Sequence, residues 1–177
     1  TMGYLPKERF SKERILPTEQ DDYFRNQLLI GDVHDMGAAM LGGVGGHAGL
    51  FSNANDLAIM MQMYLQNGKY ADKQYFKAQT IKEFTKCQFC PDDNRRGAGF
   101  DKPALPEQEG GPTCECVSYL SFGHSGFTGT LAWADPETGI VFVFLSNRIH
   151  PTSENKKLLD MDVRTNIMQV IFDAIEK

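Results

Sequence analysis

Phe-Gly-His-Ser-Gly-Phe-Thr-Gly-Thr, residues 122–130, combines three glycines with a histidine, a serine and two threonines. Residues of these types suit acyl transfer. A hydroxyl attacks, an imidazole handles a proton, and backbone amides bared by glycines receive a developing oxyanion. A serine nucleophile on a strand-to-helix elbow requires Gly-x-Ser-x-Gly. Gly123-His124-Ser125-Gly126-Phe127 fails at its last position, and the residues that follow predict a strand instead of a helix. Ser125 is therefore expected to hold a substrate at a strand edge, where small residues let it lie against the backbone.

Other chemistry-bearing spacings are weaker. Ser153-Glu-Asn-Lys156 has the S-x-x-K interval that sets a lysine one helical turn from a serine. It lies in a polar stretch after Pro151, with no apolar face to bury the lysine and so lower its pKa enough to serve as a base. We read it as chance spacing. Tyr70-Ala-Asp72 has a Y-x-N/D outline but falls in a polar turn after a helix. Gly43, Gly45 and Ala48 fit the dinucleotide pattern G-x-G-x-x-A, yet no helix opens inside it and no βαβ pattern follows. A structural glycine turn is the reading. His34, Asp35 and His47 match no metal-site spacing, and the histidines are expected to be hydrogen-bonded structural residues.

Four cysteines form two close pairs, Cys87-x-x-Cys90 and Cys114-x-Cys116. A tetrahedral thiolate zinc site normally repeats C-x-x-C, so disulfides or free thiols in a loop are favoured over zinc. In an oxidising compartment, a bridge closing the loop between Cys90 and Cys114 is one such arrangement. No metal or other cofactor is expected.

These residues need elements to position them. Residues 1–20 read as polar extended chain, and 21–30 as a short helix or a strand-like arm. Gly42, Gly43, Gly45, Gly46 and Gly49 give the next stretch access to backbone conformations closed to other residues. A helix follows with Ser52 as its N-cap, an apolar stripe of Leu57, Met60, Met61, Tyr64 and Leu65, and Asn67-Gly68 at its end. A short helix over 80–86 precedes a long surface excursion over 87–118. Segments 130–134 and 140–146 flank the turn-rich Asp-Pro-Glu-Thr-Gly and predict a hairpin. Its second arm, apolar on both faces, is expected in the middle of a covered sheet. A helix over 162–177 should lay Val163, Ile167, Val170, Ile171 and Ala174 on that sheet.

The chain has 177 residues, 41% of them hydrophobic, and a net charge of −5. That suits one domain with a core. The net acidity, without a concentrated basic run, argues against nucleic acid as a partner. No apolar run approaches the roughly 18–20 residues of a spanning helix. The first residues, TMGYLPKERF, have no apolar core like that of a signal peptide. Met2 stands behind Thr1, so we expect a processed protein or one cut from a longer chain.

Three blocks together resemble the serine β-lactamase and penicillin-binding-protein family, especially its esterase-like members: GGVGGHAGLFSNANDLAIMMQMYLQNG (42–68), RRGAGFDKP (95–103) and FGHSGFTGTLAWADPETGIVFVFLSNR (122–148). They cover much of the chain in the family's order. Composition and ending also resemble proteins of gut-dwelling Bacteroidetes. The resemblance implies an α/β (α+β) unit with a mainly antiparallel sheet and flanking helices, a partial β-lactamase/transpeptidase-like fold. The whole of 1–177 would be a single unit, helical and loop-rich over 20–118, with a β-hairpin plus C-terminal helix over 119–177.

In that family S-x-x-K, Y-x-N and K-T-G line one site. His124-Ser125-Gly126 looks like the third box, with histidine in place of lysine. By resemblance, Ser125 would hydrogen-bond substrate, the Phe127 N–H would be an oxyanion donor, and His124 would be a cationic or hydrogen-bonding group near the transferred proton. An ordinary imidazole, with a pKa of about 6.5, is only partly charged at neutral pH. Nothing ahead of Gly42 supplies the first two motifs. The resemblance therefore implies the C-terminal part of a serine hydrolase domain whose nucleophile serine and lysine lie upstream of Thr1, with no catalytic residue in this chain. The parent would hydrolyse an ester, amide or peptide-like substrate, small or peptidoglycan-like, at the periplasm or cell envelope. The chain alone would be inactive and prone to self-association through uncovered sheet surface. The alternative is a non-catalytic cell-wall or glycan-binding or assembly module on the same fold.

Overall fold

The candidate site stands on three antiparallel strands that the sequence alternation dictates. The computed structural model describes residues 1–108 and 110–175. In chain order, β1 (Pro17–Asp21) pairs with β2 (Gln27–Ile30) in a separate two-stranded sheet. The stretch 21–30 thus takes the arm-like form, and the polar start holds two 3-10 turns at Pro6–Glu8 and Lys12–Arg14. A short helix α1 (Met36–Met40) and the longer α2 (Ala54–Leu65) come next. The hairpin β3 (Lys69–Tyr70) and β4 (Lys73–Gln74) and the helix α3 (Ala78–Thr85) precede the excursion. The main sheet is β5 (Phe122–Ser125), β6 (Leu131–Asp135) and β7 (Ile140–Phe144), in that spatial order. The helices α4 (Lys157–Asp160) and α5 (Val163–Ile175) end the described chain.

Alternation sorts side chains to two faces, because successive strand residues point oppositely. Leu131 and Trp133 of β6 and Phe142 of β7 meet Met168 and Phe172 of α5, with Val117 from the excursion. On the other face Phe122 and Ala134 meet Met61 of α2, flanked by Tyr64, Leu65 and Val141. Two helical layers therefore sandwich the sheet. Burial of each large apolar side chain contributes roughly 1.5–3 kcal/mol, and Trp133, 1% exposed at the centre, is the change that would break this core.

Several expectations are corrected. The strand β7 lies at an edge of the sheet, and β6 is central. Its two apolar faces answer to the two helical layers and say nothing about its edge neighbours. On α5, Met168 and Phe172 face the sheet, whereas Ile167, Val170 and Ile171 are 40%, 68% and 36% exposed. The cap of α2 is Asn53, whose side chain accepts the Asp56 N–H at 2.9 Å, one residue after Ser52. The helix closes as expected, with Gly68 N–H donating back to Met63 O. The cysteines pair locally, Cys87 with Cys90 and Cys114 with Cys116, so no bridge closes the larger loop and no thiolate remains for zinc.

Candidate active-site wall

The outer edge of β5 is paired only at its start. Asp101 N–H donates to Gly123 O at 2.7 Å, and Gly123 N–H to Asp101 O at 3.1 Å. A Cβ on Gly123 would collide with the Ala132 carbonyl and Trp133, so only glycine lets β5 approach β6 this closely. Beyond Gly123 the strand carries His124, exposed, and Ser125, half-buried. A tight turn follows, with Gly126 N–H donating to Thr130 O and Gly129 N–H to Gly126 O. Among the described residues the Phe127 N–H has no acceptor, leaving that donor free at the tip.

Both sides of the tip are braced. The Phe127 ring stacks on His34, with centroids 4.8 Å apart, and carries the Arg148 guanidinium 4.8 Å from its centroid on a cation–π contact. Thr128 O accepts from Arg148 N–H at 3.0 Å. His34 in turn sits 3.2 Å from the buried Glu19, which also accepts the Tyr23 hydroxyl at 2.9 Å. Burial and that bond push the Tyr23 phenol up to about 12. Beside it, Arg25 Nε donates to the buried Asp21 at 2.7 Å and caps the carbonyls of Val33 and His34.

On the other flank, Arg95, Arg96, Asp101, Ser125 and Arg164 line one shallow recess. Asp101 is buried and accepts Arg95 at 2.8 and 3.2 Å. Arg96 Nη1 lies 3.3 Å from the same carboxylate and 3.1 Å from His124 Nε2. Arg164 reaches the carbonyls of Gly129 and Thr130, and burial and nearby Arg148 lower its pKa.

Chemically this corner offers a hydroxyl, one free amide, and guanidinium groups around it, a setting for a polar or anionic group. His124, Ser125, Gly126 and Phe127 stand at this corner, at the end of β5 and the start of the turn after it. Ser153 and Lys156 do not join them, and Lys156 is exposed. His47 bonds Asp35 at 2.8 Å, and Asp35 caps α1 through the Ala38 N–H at 2.7 Å. Among the described residues no group of three or more His, Cys, Asp or Glu is arranged to hold a metal. Sequence reasoning missed His34, Arg96 and Asp101. The doubled arginine followed by an aspartate within RRGAGFDKP was the signal available for the last two.

A family model described as Beta-lactamase matches residues 5–164. The chain belongs to the beta-lactamase family. This is a family of serine hydrolases, and the antiparallel sheet with flanking helices is its fold. Among beta-lactamase relatives, a protein of Escherichia coli strain K12 with the provisional name D-alanyl-D-alanine carboxypeptidase is 40% identical over 136 residues, 75% of this chain and 30% of the relative. A protein of Salmonella enteritidis with the same name is 38% identical over 76% of this chain and 31% of its own length. The chain thus spans under a third of the curated relatives it matches. A crystal structure of a beta-lactamase from Mycobacterium bovis, 22% identical, aligns over 72% of this chain and 46% of that one with a TM-score of 0.54. That likeness bears on the fold. Among the described residues no helix is long and apolar enough to cross a membrane.

Proposed function

We propose that these residues form one wall of the active site of a beta-lactamase-family serine hydrolase, as a single unit that is the C-terminal part of the domain. Ser125 hydrogen-bonds the substrate, and the Phe127 N–H is one oxyanion donor, the nucleophile's own amide being the other. The nucleophile serine and its lysine come from chain preceding this segment. A substrate acyl group is transferred to that serine and then to water. The observation that carries this reading is the unpaired Phe127 N–H beside Ser125 at a braced strand end. The guanidinium groups of Arg96 and Arg164 at the same recess suit a substrate with a carboxylate, as a D-alanyl-D-alanine peptide has. The relatives' names support that substrate class, and with it a role at the cell envelope.

Incubation of the 177-residue chain with a chromogenic ester and with a chromogenic cephalosporin tests the assignment. No turnover is expected. Serine-dependent hydrolysis by the chain alone would overturn it. The unpaired edge of β7 adds the expectation of self-association in solution, which sedimentation velocity over a concentration series would register.

A further inference from the structure

His124 has both ring nitrogens engaged by groups whose hydrogen-bonding roles are fixed. Arg96 Nη1, 3.1 Å from Nε2, can only donate. The Ser125 carbonyl, 2.7 Å from Nδ1, can only accept. Nε2 must therefore present its lone pair while Nδ1 carries the hydrogen, which is the neutral ring in one tautomer. A proton on Nε2 would set N–H against N–H and break the Arg96 contact.

Arg96 is itself held in place. It shares the buried carboxylate of Asp101 with Arg95, and Lys102 N–H also donates to that carboxylate at 2.9 Å. The Asp101 backbone is paired to Gly123, immediately before His124. Carboxylate, guanidinium and imidazole are thus fixed on adjoining chains. Among the described residues, the other charged groups at this corner are cations, Arg95 on the same segment and Arg164 on α5, with Arg148 beyond Phe127. Among the described residues that line the recess, Asp101 is the acidic one, and its carboxylate is occupied by the arginines.

We propose that Arg96 is a positioning residue for His124: anchored by Asp101, it fixes the ring in the neutral Nδ1–H form and itself supplies the positive charge at this corner. The third box then works with a neutral hydrogen-bonding histidine and a cation borrowed from the 95–101 segment. Only the catalytic meaning of this rests on the function proposed above; the proton placement does not.

The test is the 15N spectrum of the His124 ring in the labelled chain at pH 7, assigned by loss of its signals in His124→Gln. The expected result is a protonated, pyrrole-type Nδ1 and an unprotonated, pyridine-type Nε2. Arg96→Lys, which keeps a donor, should preserve that pattern. Arg96→Glu, which faces Nε2 with an acceptor, should protonate both nitrogens. A wild-type ring protonated at Nε2 overturns the proposal, as does a ring unchanged in folded Arg96→Glu. The wild-type and Arg96→Lys spectra decide the matter should Arg96→Glu fail to fold. A merely structural arginine would shift the melting temperature and leave the ring pattern alone. Failure of the functional reading, by turnover in the isolated chain, would leave this spectrum as it stands.

Discussion

His34 and Phe127 stack with ring centroids 4.8 Å apart, which ties the segment before α1 to the tip of the β5–β6 turn. The contact links a buried carboxylate to the candidate oxyanion donor, because His34 Nε2 also lies 3.2 Å from Glu19. His34→Ala removes the stacking surface and one of Glu19's two partners. The expected cost is about 1 kcal/mol, from the lost ring stacking and a close imidazole, while Glu19 keeps the Tyr23 hydroxyl. Urea denaturation would measure it, and hydrogen exchange at Phe127–Gly129 should quicken more than in β6. Unchanged exchange at the tip would show that His34 does not brace it.

How much of this was readable beforehand differs from residue to residue. The hairpin of β6 and β7 and the helix α2 follow from local pattern, because their apolar periods and turn residues are written within ten or twelve positions. His124 to Phe127 could be grouped because they are contiguous. The partners could not be placed: His34, Arg96 and Asp101 reach the site through chain folding, and only the charged make-up of RRGAGFDKP marked the last two. The α5 error has a similar origin. That helix carries apolar residues around much of its circumference, so period alone offers two stripes, and the larger Met168 and Phe172 take the sheet. For β7, sequence reports the apolar layers above and below a strand, while edge position depends on which other strands are present.

Acid should expose the Asp21–Arg25 pair. Burial opposes ionisation of Asp21, but the Arg25 guanidinium and the amides of Phe24, Arg25 and Tyr23 outweigh it and hold the carboxyl down at about 2, against an ordinary 3.8. The folded chain therefore binds this proton more weakly than the unfolded chain. Its contribution to stability is present above about 4 and is lost as pH falls towards 2. Asp21→Asn should be less stable at pH 6 and should flatten that part of the acid limb. Urea midpoints between pH 2 and 6 for both proteins provide the check.

Lys102 predicts a slope of the same sign at alkaline pH. Its side chain is buried, with Nζ 3.0 Å from Leu120 O, and burial lowers its pKa to about 8 despite the nearby Asp135. The unfolded chain, with the lysine near 10.5, binds this proton more strongly. Stability should therefore rise as pH climbs from about 8 to 10.5, with the full penalty of burying the charge present below 8. Lys102→Met should remove that rise and stabilise the chain at pH 7. A wild-type stability curve that is flat across this window, with the variant unchanged at pH 7, would contradict the account.

Gly123 and Gly46 should respond oppositely to the same substitution. At Gly123 an added methyl meets the Ala132 carbonyl and the Trp133 backbone and ring, all central to the sheet. None of these is the free end of a flexible side chain, so β5 must move away from β6. Gly123→Ala should cost roughly 3 kcal/mol through overpacking. It should also weaken the Asp101–Gly123 pairing that holds Arg96 beside His124. Gly46 has open space where its Cβ would stand and no left-handed backbone. Gly46→Ala should be neutral or stabilise by about 0.4–1 kcal/mol, because alanine restricts the unfolded chain. Chemical denaturation of the two variants separates these effects. A Gly123→Ala protein as stable as the parent would mean that β5 is not pressed against β6, and the geometry of the whole wall would have to be redrawn.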